Sequence, residues 1–298
     1  MQLNKGSYHK DGQKTPRRIN LQPKRAMKNF LKWTNRQLFL FFGGLLLAGC
    51  ASSHSSQANK VDAKRGYTVQ NAHSHNDYAQ KHLFSEAYNA RFGSMEADIY
   101  LVDGQLLVAH NKKDIDSTRT LAAMYLMPLA QKVRQNNGYP YKDHQDQLEL
   151  LIDLKDAKDS PAYSKAVQLI ESYKALASSR HLRFTFTGNI PSDQKMAGAS
   201  GTIYFDGVPG RSYSASALKR IYMLSDNFAN YSSWNGTGSI NTEDYKKLLK
   251  TVEAAHKVGK KIRFWNAPDN PAAWKLMEKL GVDYINTDHI QQLSNYLH

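Results

Sequence analysis

The sequence predicts a single (β/α)8 TIM barrel, a fold of the α/β class, and three observations support that prediction. Short β-rich runs alternate with helical patterns along residues 66–298. Such alternation is typical of a parallel sheet whose strands are joined by helices. Eight strand–helix units in about 250 residues match the usual size of this barrel. A doubly wound open sheet is the alternative, but no glycine-rich nucleotide fingerprint follows the first predicted strand.

The predicted elements are short and follow one another closely. The eight strands are Tyr67–Ala72, Ser94–Leu101, Leu148–Leu154, Arg183–Thr187, Thr202–Phe205, Ile221–Leu224, Lys261–Trp265 and Asp283–Asn286. The clearest helices are Leu83–Arg91, Leu121–Gln135, Pro161–Ala177, Thr242–Gly259 and Pro271–Leu280. The fourth helix has the best-defined ends, because Asn241 or Thr242 can cap it and Gly259 can terminate it.

The first 49 residues predict a targeting segment and not a part of the barrel. Ten Lys or Arg residues and one acid lead to an apolar run over Leu38–Leu47, which small residues connect to Cys50. A basic segment, a short apolar run and small residues are typical of a secretory signal, and the run is too short to span a bilayer. Translation from Met27 instead of Met1 gives a signal of more usual length.

The net charge of the chain is much lower once this leader is left out of the count. The 298-residue chain carries a formal charge of +14, and removing 49 residues with their nine net positive charges leaves 249 residues and +5. The remaining body shows no basic helix, zinc-finger spacing or aromatic–basic repeat, so we expect no nucleic-acid partner. The single cysteine excludes an intrachain disulfide framework and a multi-cysteine metal site.

Carboxylates on neighbouring predicted strands indicate a metal site. Glu96 and Asp98 lie two residues apart on one strand, so their side chains point to the same face. A divalent cation relieves the repulsion between such carboxylates, and oxygen ligands suit Mg²⁺ or Ca²⁺. Asp153 is a candidate third ligand and Asn76 a candidate neutral ligand. Surface acids at a solvated strand end are the simpler alternative, which the apolar character of Met95–Leu101 weakens.

Two histidines and a lysine are the candidate catalytic residues. His75 and His110 follow the first two predicted strands, so a barrel places both at one mouth. Imidazole titrates near neutrality, so one ring can accept a proton while the other donates one. Lys155 adds a positive charge there, and a metal with a lysine offsets charge on phosphoryl oxygens. These residues predict phosphodiester cleavage, and His73 remains an ambiguous partner of His75.

Weaker candidates for substrate binding are His73, Asp77, Asp206 and Trp265. Asp206 ends a predicted strand just before Gly207, where lining the mouth and forming a turn are alternatives. Trp265 ends the seventh predicted strand, where stacking on a substrate and packing in the core are alternatives.

These motifs resemble the PI-PLC-like phosphodiesterases, a barrel superfamily that includes glycerophosphodiester phosphodiesterases and sphingomyelinase-D-like enzymes. Members carry a first His, Glu-x-Asp, a second His and an acid on strand three, in the order of His75, Glu96-Ala97-Asp98, His110 and Asp153-Leu154-Lys155. The fullest likeness is to the altered inheritance of mitochondria protein 6 group, which shares His-Ser-His-Asn-Asp-Tyr, Glu-Ala-Asp and Arg-Phe-Trp-Asn-Ala-Pro. The likeness spans about residues 66–290. Glycerophosphodiesterases usually carry Arg at the position of Asn76 and Glu at that of Asp153.

Leu47-Ala48-Gly49-Cys50 resembles the lipobox of bacterial lipoproteins, in which the cysteine is lipidated and becomes the mature N-terminus. The resemblance implies a signal peptide over 1–49, a lipidated Cys50 with a flexible tether over 50–65, and a barrel over 66–298. It places the protein in the bacterial cell envelope, bound to the membrane through its lipid. Ala51 is not an acidic retention residue, which favours the outer membrane.

The sequence therefore predicts a metal-dependent phosphoric diester hydrolase that uses His/His acid–base catalysis. Its expected substrate is a phospholipid-derived or glycerophosphodiester-like molecule, recognised through the phosphodiester or lipid headgroup. A non-catalytic surface lipoprotein that binds a ligand or partner on the same barrel is the main alternative. A metal-dependent phosphomonoesterase is a further alternative, which comparison of mono- and diester substrates distinguishes.

Overall fold

Eight parallel strands wrap into a nearly closed barrel in the computed structural model, which describes residues 66–158, 160–199 and 201–298. The strands are β1 (Ala72–Ser74), β2 (Ser94–Val102), β3 (Gln105–Val108), β4 (Leu148–Leu154), β5 (Leu182–Gly188), β6 (Ile203–Gly207), β7 (Ile221–Asn227), β8 (Lys261–Trp265) and β9 (Ile285–Thr287). Their order is β8-β7-β6-β5-β4-β2-β1-β9, and a bridge between Arg263 and Tyr284 joins the two edges. The predicted barrel is confirmed.

The predicted helices lie where the sequence placed them, and the predicted Leu121–Gln135 helix contains a π-helical stretch over Ala122–Leu126. The α-helices of the structure are α1 (Ser85–Asn89), α2 (Met127–Gln135), α3 (Ala162–Ser172), α4 (Lys174–Ala177), α5 (Asp193–Ala197), α6 (Ala215–Arg220), α7 (Thr242–Lys257), α8 (Pro271–Leu280) and α9 (Ile290–Leu297). The prediction of one helix over Pro161–Ala177 is wrong, because the chain leaves helical geometry at Tyr173 (ψ 89°). The short helices α5 and α6 and the terminal α9 were not predicted, since five to eight residues carry little periodic signal.

The first strand is shorter than predicted. β1 begins at Ala72 and not at Tyr67, because Thr68 and Asn71 cap a 3-10 turn over Val69–Asn71. The last strand likewise begins two residues later than predicted, at Ile285. Both strands are therefore brief, and β1 ends at Ser74, directly before the predicted catalytic His75.

A hairpin that the prediction lacked carries His110. β3 folds back antiparallel on β2, with Ile99 opposite Val108. Asp103 and Gly104 both have positive φ, 48° and 78°, as a two-residue hairpin turn requires. The backbone N–H of Ala109 then donates to the carbonyl of Asp98 at 3.2 Å. The hairpin, and not the end of a second parallel strand, therefore brings His110 beside Asp98.

Strand residues alternate between an apolar outer face and a polar inner face. Met95, Ala97 and Ile99 of β2 are at most 1% exposed and belong to the main hydrophobic core. Glu96 and Asp98 lie between them and make polar contacts to other strands. The two-residue period of a strand produces this division. The functional side chains consequently point into the barrel.

Among the residues that the structure describes, no helix combines the length and apolarity needed to cross a bilayer. The predicted signal peptide, Cys50 and the tether lie outside the described residues.

Candidate active site

The carboxyl ends of the parallel strands meet at one end of the barrel, called the mouth here. Barrels of this architecture carry their functional residues at that end. The polar side chains at or just beyond these strand ends include His75, Asp98, Asp153, Lys155, Trp265 and Asp288.

Three carboxylates converge at the mouth and form an oxygen-rich cluster. Glu96, Asp98 and Asp153 each offer one oxygen, and these oxygens lie within 4.8 Å of one another. The register of β2 and β4 explains the convergence, since Asp98 stands directly opposite Asp153. Oδ1 of Asp98 is buried and has no hydrogen-bond partner among the described residues. An all-oxygen donor set with a free buried oxygen fits a hard divalent cation such as Mg²⁺ or Ca²⁺.

Lys155 lies against this cluster and keeps its charge. Its Nζ is 2.8 Å from Oδ2 of Asp98 and 2.6 Å from Oδ2 of Asp153. Burial, together with the charges of Glu96 and Asp153, raises the pKa of Asp98 to about 6 against the opposing effect of Lys155. Although burial alone would lower the pKa of Lys155, the two aspartates raise it above its usual value. The charged Lys155 side chain therefore lies beside carboxylates that repel one another when all of them are ionised.

Both histidines at the mouth bind a carboxylate through Nδ1. Nδ1 of His110 is 3.2 Å from Oδ2 of Asp98, and Nδ1 of His75 is 3.0 Å from Oδ1 of Asp288. The side chain of His110 is 58% exposed and that of His75 is 31% exposed. Neither Nε2 has a hydrogen bond within the described part of the chain. Each ring can therefore present Nε2 to a ligand in the mouth.

The two histidines differ in the acid that holds them. Burial opposes a charge on His75, but the hydrogen bond to Asp288 and the charge of Glu96 outweigh it and raise the pKa of His75. Its hydrogen bond to His75 lowers the pKa of Asp288, so that acid stays ionised. Asp98, the acid beside His110, is instead buried and shared with Lys155. The geometry thus favours an imidazolium at His75.

Tyr78 connects several of these groups, although the sequence analysis did not select it. Its Oη lies 2.6 Å from Oδ1 of Asn76, 2.9 Å from Oδ2 of Asp98 and 3.2 Å from Nδ1 of His110. Asn76 adopts a left-handed backbone (φ 46°) that turns the chain here. The carbonyl oxygen of Asn76, a predicted metal ligand, accepts from Tyr78 in this arrangement. Only the final Tyr of the His-Ser-His-Asn-Asp-Tyr motif could have indicated this residue.

His73 lies deeper in the barrel than His75 and is fully buried. Its Nδ1 is 2.7 Å from Oγ of Ser94, which in turn lies 2.9 Å from Oε2 of Glu149. Its Nε2 lies 2.7 Å from Nη1 of Arg263 and 2.9 Å from Oε2 of Glu96. Burial and the charge of Arg263 lower the pKa of His73 to about 4, so the ring is neutral. His73 was predicted to contact the substrate. In the structure its buried ring instead contacts Glu96 and supports that carboxylate.

Arg263 is the largest omission from the predicted site. It is 3% exposed, and its Nη1 lies 3.4 Å from Oε2 of Glu96 across the barrel. Burial favours a neutral Glu96, but the His73 hydrogen bond and the Arg263 charge hold the pKa of Glu96 well below its usual range. Glu96 is consequently an ionised carboxylate in the acidic cluster.

The remaining predicted residues fall in different places. Asp77 is fully buried and accepts from Ser74, Tyr125 and the backbone of Phe84, so its predicted substrate contact is wrong. Asp206 is also buried, 4% exposed, where it accepts from Thr187 and Ser225 and neither forms a turn nor lines the open mouth. Burial raises the pKa of Asp206 to about 7. Trp265 is 40% exposed at the end of β8, so the core alternative for it is wrong.

Two protein families match parts of this chain. Residues 61–182 match the AIM6-like phosphodiesterase domain, and residues 261–291 match the glycerophosphoryl diester phosphodiesterase family. The first segment contains the acidic cluster, Lys155 and both mouth histidines, and the second contains Arg263 and Asp288. These matches support a glycerophosphodiester phosphodiesterase-like superfamily and, at the general level, a phosphodiesterase-type hydrolase.

Several similar proteins are fungal. Altered inheritance of mitochondria protein 6 from Eremothecium gossypii is 26% identical over 269 residues, covering 75% of this chain and 68% of that protein. The protein of the same name from Lachancea thermotolerans is 28% identical over 284 residues, covering 76% and 65%. The homolog from Arthroderma benhamiae is 24% identical over 277 residues, covering 79% and 86%. The chain thus spans about two thirds or more of these relatives.

Proposed function

We propose that this protein is a metal-dependent phosphoric diester hydrolase that acts on a phospholipid-derived or glycerophosphodiester-like substrate. One observation carries the proposal: three carboxylates, a lysine and two histidines with free Nε2 atoms converge at one barrel mouth. This combination can hold an anionic phosphodiester and move protons at the attacking oxygen and at the leaving ester oxygen. The two family matches, named for phosphodiesterases, support the same reaction class.

Glu96, Asp98 and Asp153 would hold the cation, since their oxygens converge and Oδ1 of Asp98 is free. A bound divalent cation would supply Lewis-acid polarisation of a phosphoryl oxygen. Lys155 contributes a second positive charge at the same place, which stabilises charge that develops on the phosphoryl oxygens. Arg263 and His73, which are buried inside the barrel, keep Glu96 ionised.

The histidines perform the proton transfers. Nε2 of His110 takes the proton from the attacking water or substrate hydroxyl as its oxygen forms the new bond to phosphorus. Nε2 of His75 gives its proton to the leaving ester oxygen as the old P–O bond breaks. The ionised Asp288 favours this assignment, because its hydrogen bond raises the pKa of His75 and so favours the protonated ring. Attack by a neighbouring substrate hydroxyl would give a cyclic phosphate, and attack by water gives the open monoester.

We further propose that the protein is held in the bacterial cell envelope, in the outer membrane, by a lipid on Cys50. The support for this part comes from the sequence of residues 1–51 alone.

The function is tested by turnover of an aryl phosphodiester and of a glycerophosphodiester, with Mg²⁺ or Ca²⁺ and with EDTA. We expect diester turnover that EDTA abolishes, and little turnover of an aryl phosphomonoester. The change His110→Ala should lower kcat/KM by about 10²- to 10⁴-fold while the thermal melting curve stays near that of the wild type. Retained diesterase activity in that variant would refute the catalytic role of His110. Absence of turnover by the wild-type protein with either metal would favour the alternative of a non-catalytic binding protein.

A further inference from the structure

The end of the barrel opposite the mouth carries a connected cluster of basic and aromatic side chains, called the floor here. Its members are the first or second residues of their strands or directly precede a strand: Arg183, Tyr204, Arg220, Tyr222, Lys260, Lys261 and Tyr284. Because the strands are parallel, their amino ends meet at this one end. All members except the buried Tyr284 are partly exposed.

Cation–ring contacts join the floor into one surface. The guanidinium of Arg183 lies 4.5 Å from the ring centre of Tyr222, and that of Arg220 lies 4.2 Å from that of Tyr204. Nζ of Lys261 lies 4.6 Å from the ring centre of Tyr284. The hydroxyls of Tyr222 and Tyr284 are 3.0 Å apart. The basic side chains are thus held in place by rings and not by acids.

The floor cations contact only neutral acceptors among the residues that the structure describes. Arg183 donates to the side-chain amide of Gln147 at 2.6 Å, and Lys260 donates to the carbonyl of Ile221 at 2.7 Å. Arg220 donates to the carbonyls of Gly201 and Ile203. None of the four cations forms a salt bridge with a described carboxylate. Glu149, opposite Arg183 in the register of β4 and β5, is buried, so the exposed part of the floor is positively charged and attracts an anionic partner.

The barrel receives the preceding chain at this same end. Oη of Tyr67 donates to the carbonyl of Val282, just before β9, and Ala72 begins β1 opposite Ile285. In the sequence, Cys50 lies only 16 residues before Gly66. The segment that would carry a lipid on Cys50 therefore joins the barrel at the floor end.

We propose that the floor binds the anionic phospholipid headgroups of the leaflet that holds the Cys50 lipid. Lys and Arg bind such headgroups electrostatically, and Tyr favours the boundary between water and lipid. This inference rests on the proposed lipid anchor. Its consequence for the active site is that the mouth faces away from that leaflet. The substrate is then a water-soluble phosphodiester, such as a deacylated glycerophosphodiester, and not a lipid embedded in the anchoring leaflet.

Two matched labelling sites test the orientation in the chain that begins at residue 50, as the proposed lipid anchor requires. Val258, 51% exposed, lies between α7 and β8 on the floor side, and Val208, 49% exposed, follows β6 on the mouth side. In a Cys50→Ser background, which removes the only native thiol, Val258→Cys or Val208→Cys carries an environment-sensitive fluorophore. We expect phosphatidylglycerol-containing vesicles to change the emission of the Val258→Cys label only, and phosphatidylcholine vesicles to change neither. A response at Val208→Cys, at both sites equally or at neither overturns the proposal.

A charge comparison completes the test. Arg183→Gln with Lys261→Gln should weaken binding to phosphatidylglycerol-containing vesicles roughly twentyfold, since two basic side chains leave the surface. Lys112→Gln with Lys113→Gln, two exposed lysines next to His110 on the mouth side, serves as the control and should change it little. All variants begin at residue 50, so the ten basic residues of the leader do not contribute to vesicle binding. Equal effects of the two pairs overturn the proposal, as does tighter binding of a single-stranded oligonucleotide to the floor. The assays need no turnover, so their outcome is independent of the proposed diesterase activity.

Discussion

The two ends of the barrel are built by the same strands but carry opposite chemistry. At the mouth, carboxylates lie within hydrogen-bond distance of Lys155, His75 and His110. At the floor, four cations lie on aromatic rings or carbonyl groups and form no salt bridge with a described acid. The position of a residue along its strand, and not the strand to which it belongs, decides which chemistry it joins. The next three predictions test how far the mouth depends on its paired charges.

The largest effect is expected from Asp98, because its carboxylate contacts Lys155, Tyr78 and His110. Asp98→Asn keeps the shape but removes the charge, and we expect kcat/KM to fall by about 10³-fold or more. Metal titration by calorimetry should show weakened binding. Asp114→Asn, in an exposed turn next to the mouth, is the control. Wild-type metal affinity in Asp98→Asn would contradict the assignment of Asp98 as a ligand.

A smaller effect is expected from Asp288, which holds Nδ1 of His75 at 3.0 Å and raises its pKa. A protonated His75 is lost as pH rises through that pKa, so Asp288→Asn should move the alkaline limb of the kcat/KM profile to lower pH. We expect about a 10- to 100-fold loss near neutral pH. An aryl diester with a good leaving group should restore much of the activity, because it needs less help from an acid. An unchanged pH profile would refute the role of Asp288.

The smallest of these effects is expected from Tyr78, which positions His110 and Asp98 without reaching the substrate. Tyr78→Phe keeps the buried ring and removes one hydroxyl, so kcat should fall by about tenfold while KM stays nearly constant. Tyr100→Phe removes a long 3.4 Å contact to the carbonyl of His110 and should leave both parameters unchanged. Equal behaviour of the two variants would show that Tyr78 is only a packing residue.

Much of the barrel and half of the site could be predicted because they depend on local patterns. Alternation of strands and helices predicted the fold, and the two-residue period placed Glu96 and Asp98 on one face. The weaker prediction of a substrate contact failed for Asp77, which the structure buries in the 3-10 turn after β1. A polar residue next to a motif has no local pattern that distinguishes a substrate contact from a structural hydrogen bond.

The partners of these residues depend on barrel closure and could not be read from neighbouring residues. His75 binds Asp288 over a separation of 213 residues, and Arg263 contacts His73 over 190. The floor likewise appears only when five strands align their amino ends at one end of the barrel. Periodicity along one strand tells which way a side chain points, because it follows from backbone geometry. Which other side chain it meets there depends on strand order, register and closure, and these belong to the folded barrel as a whole.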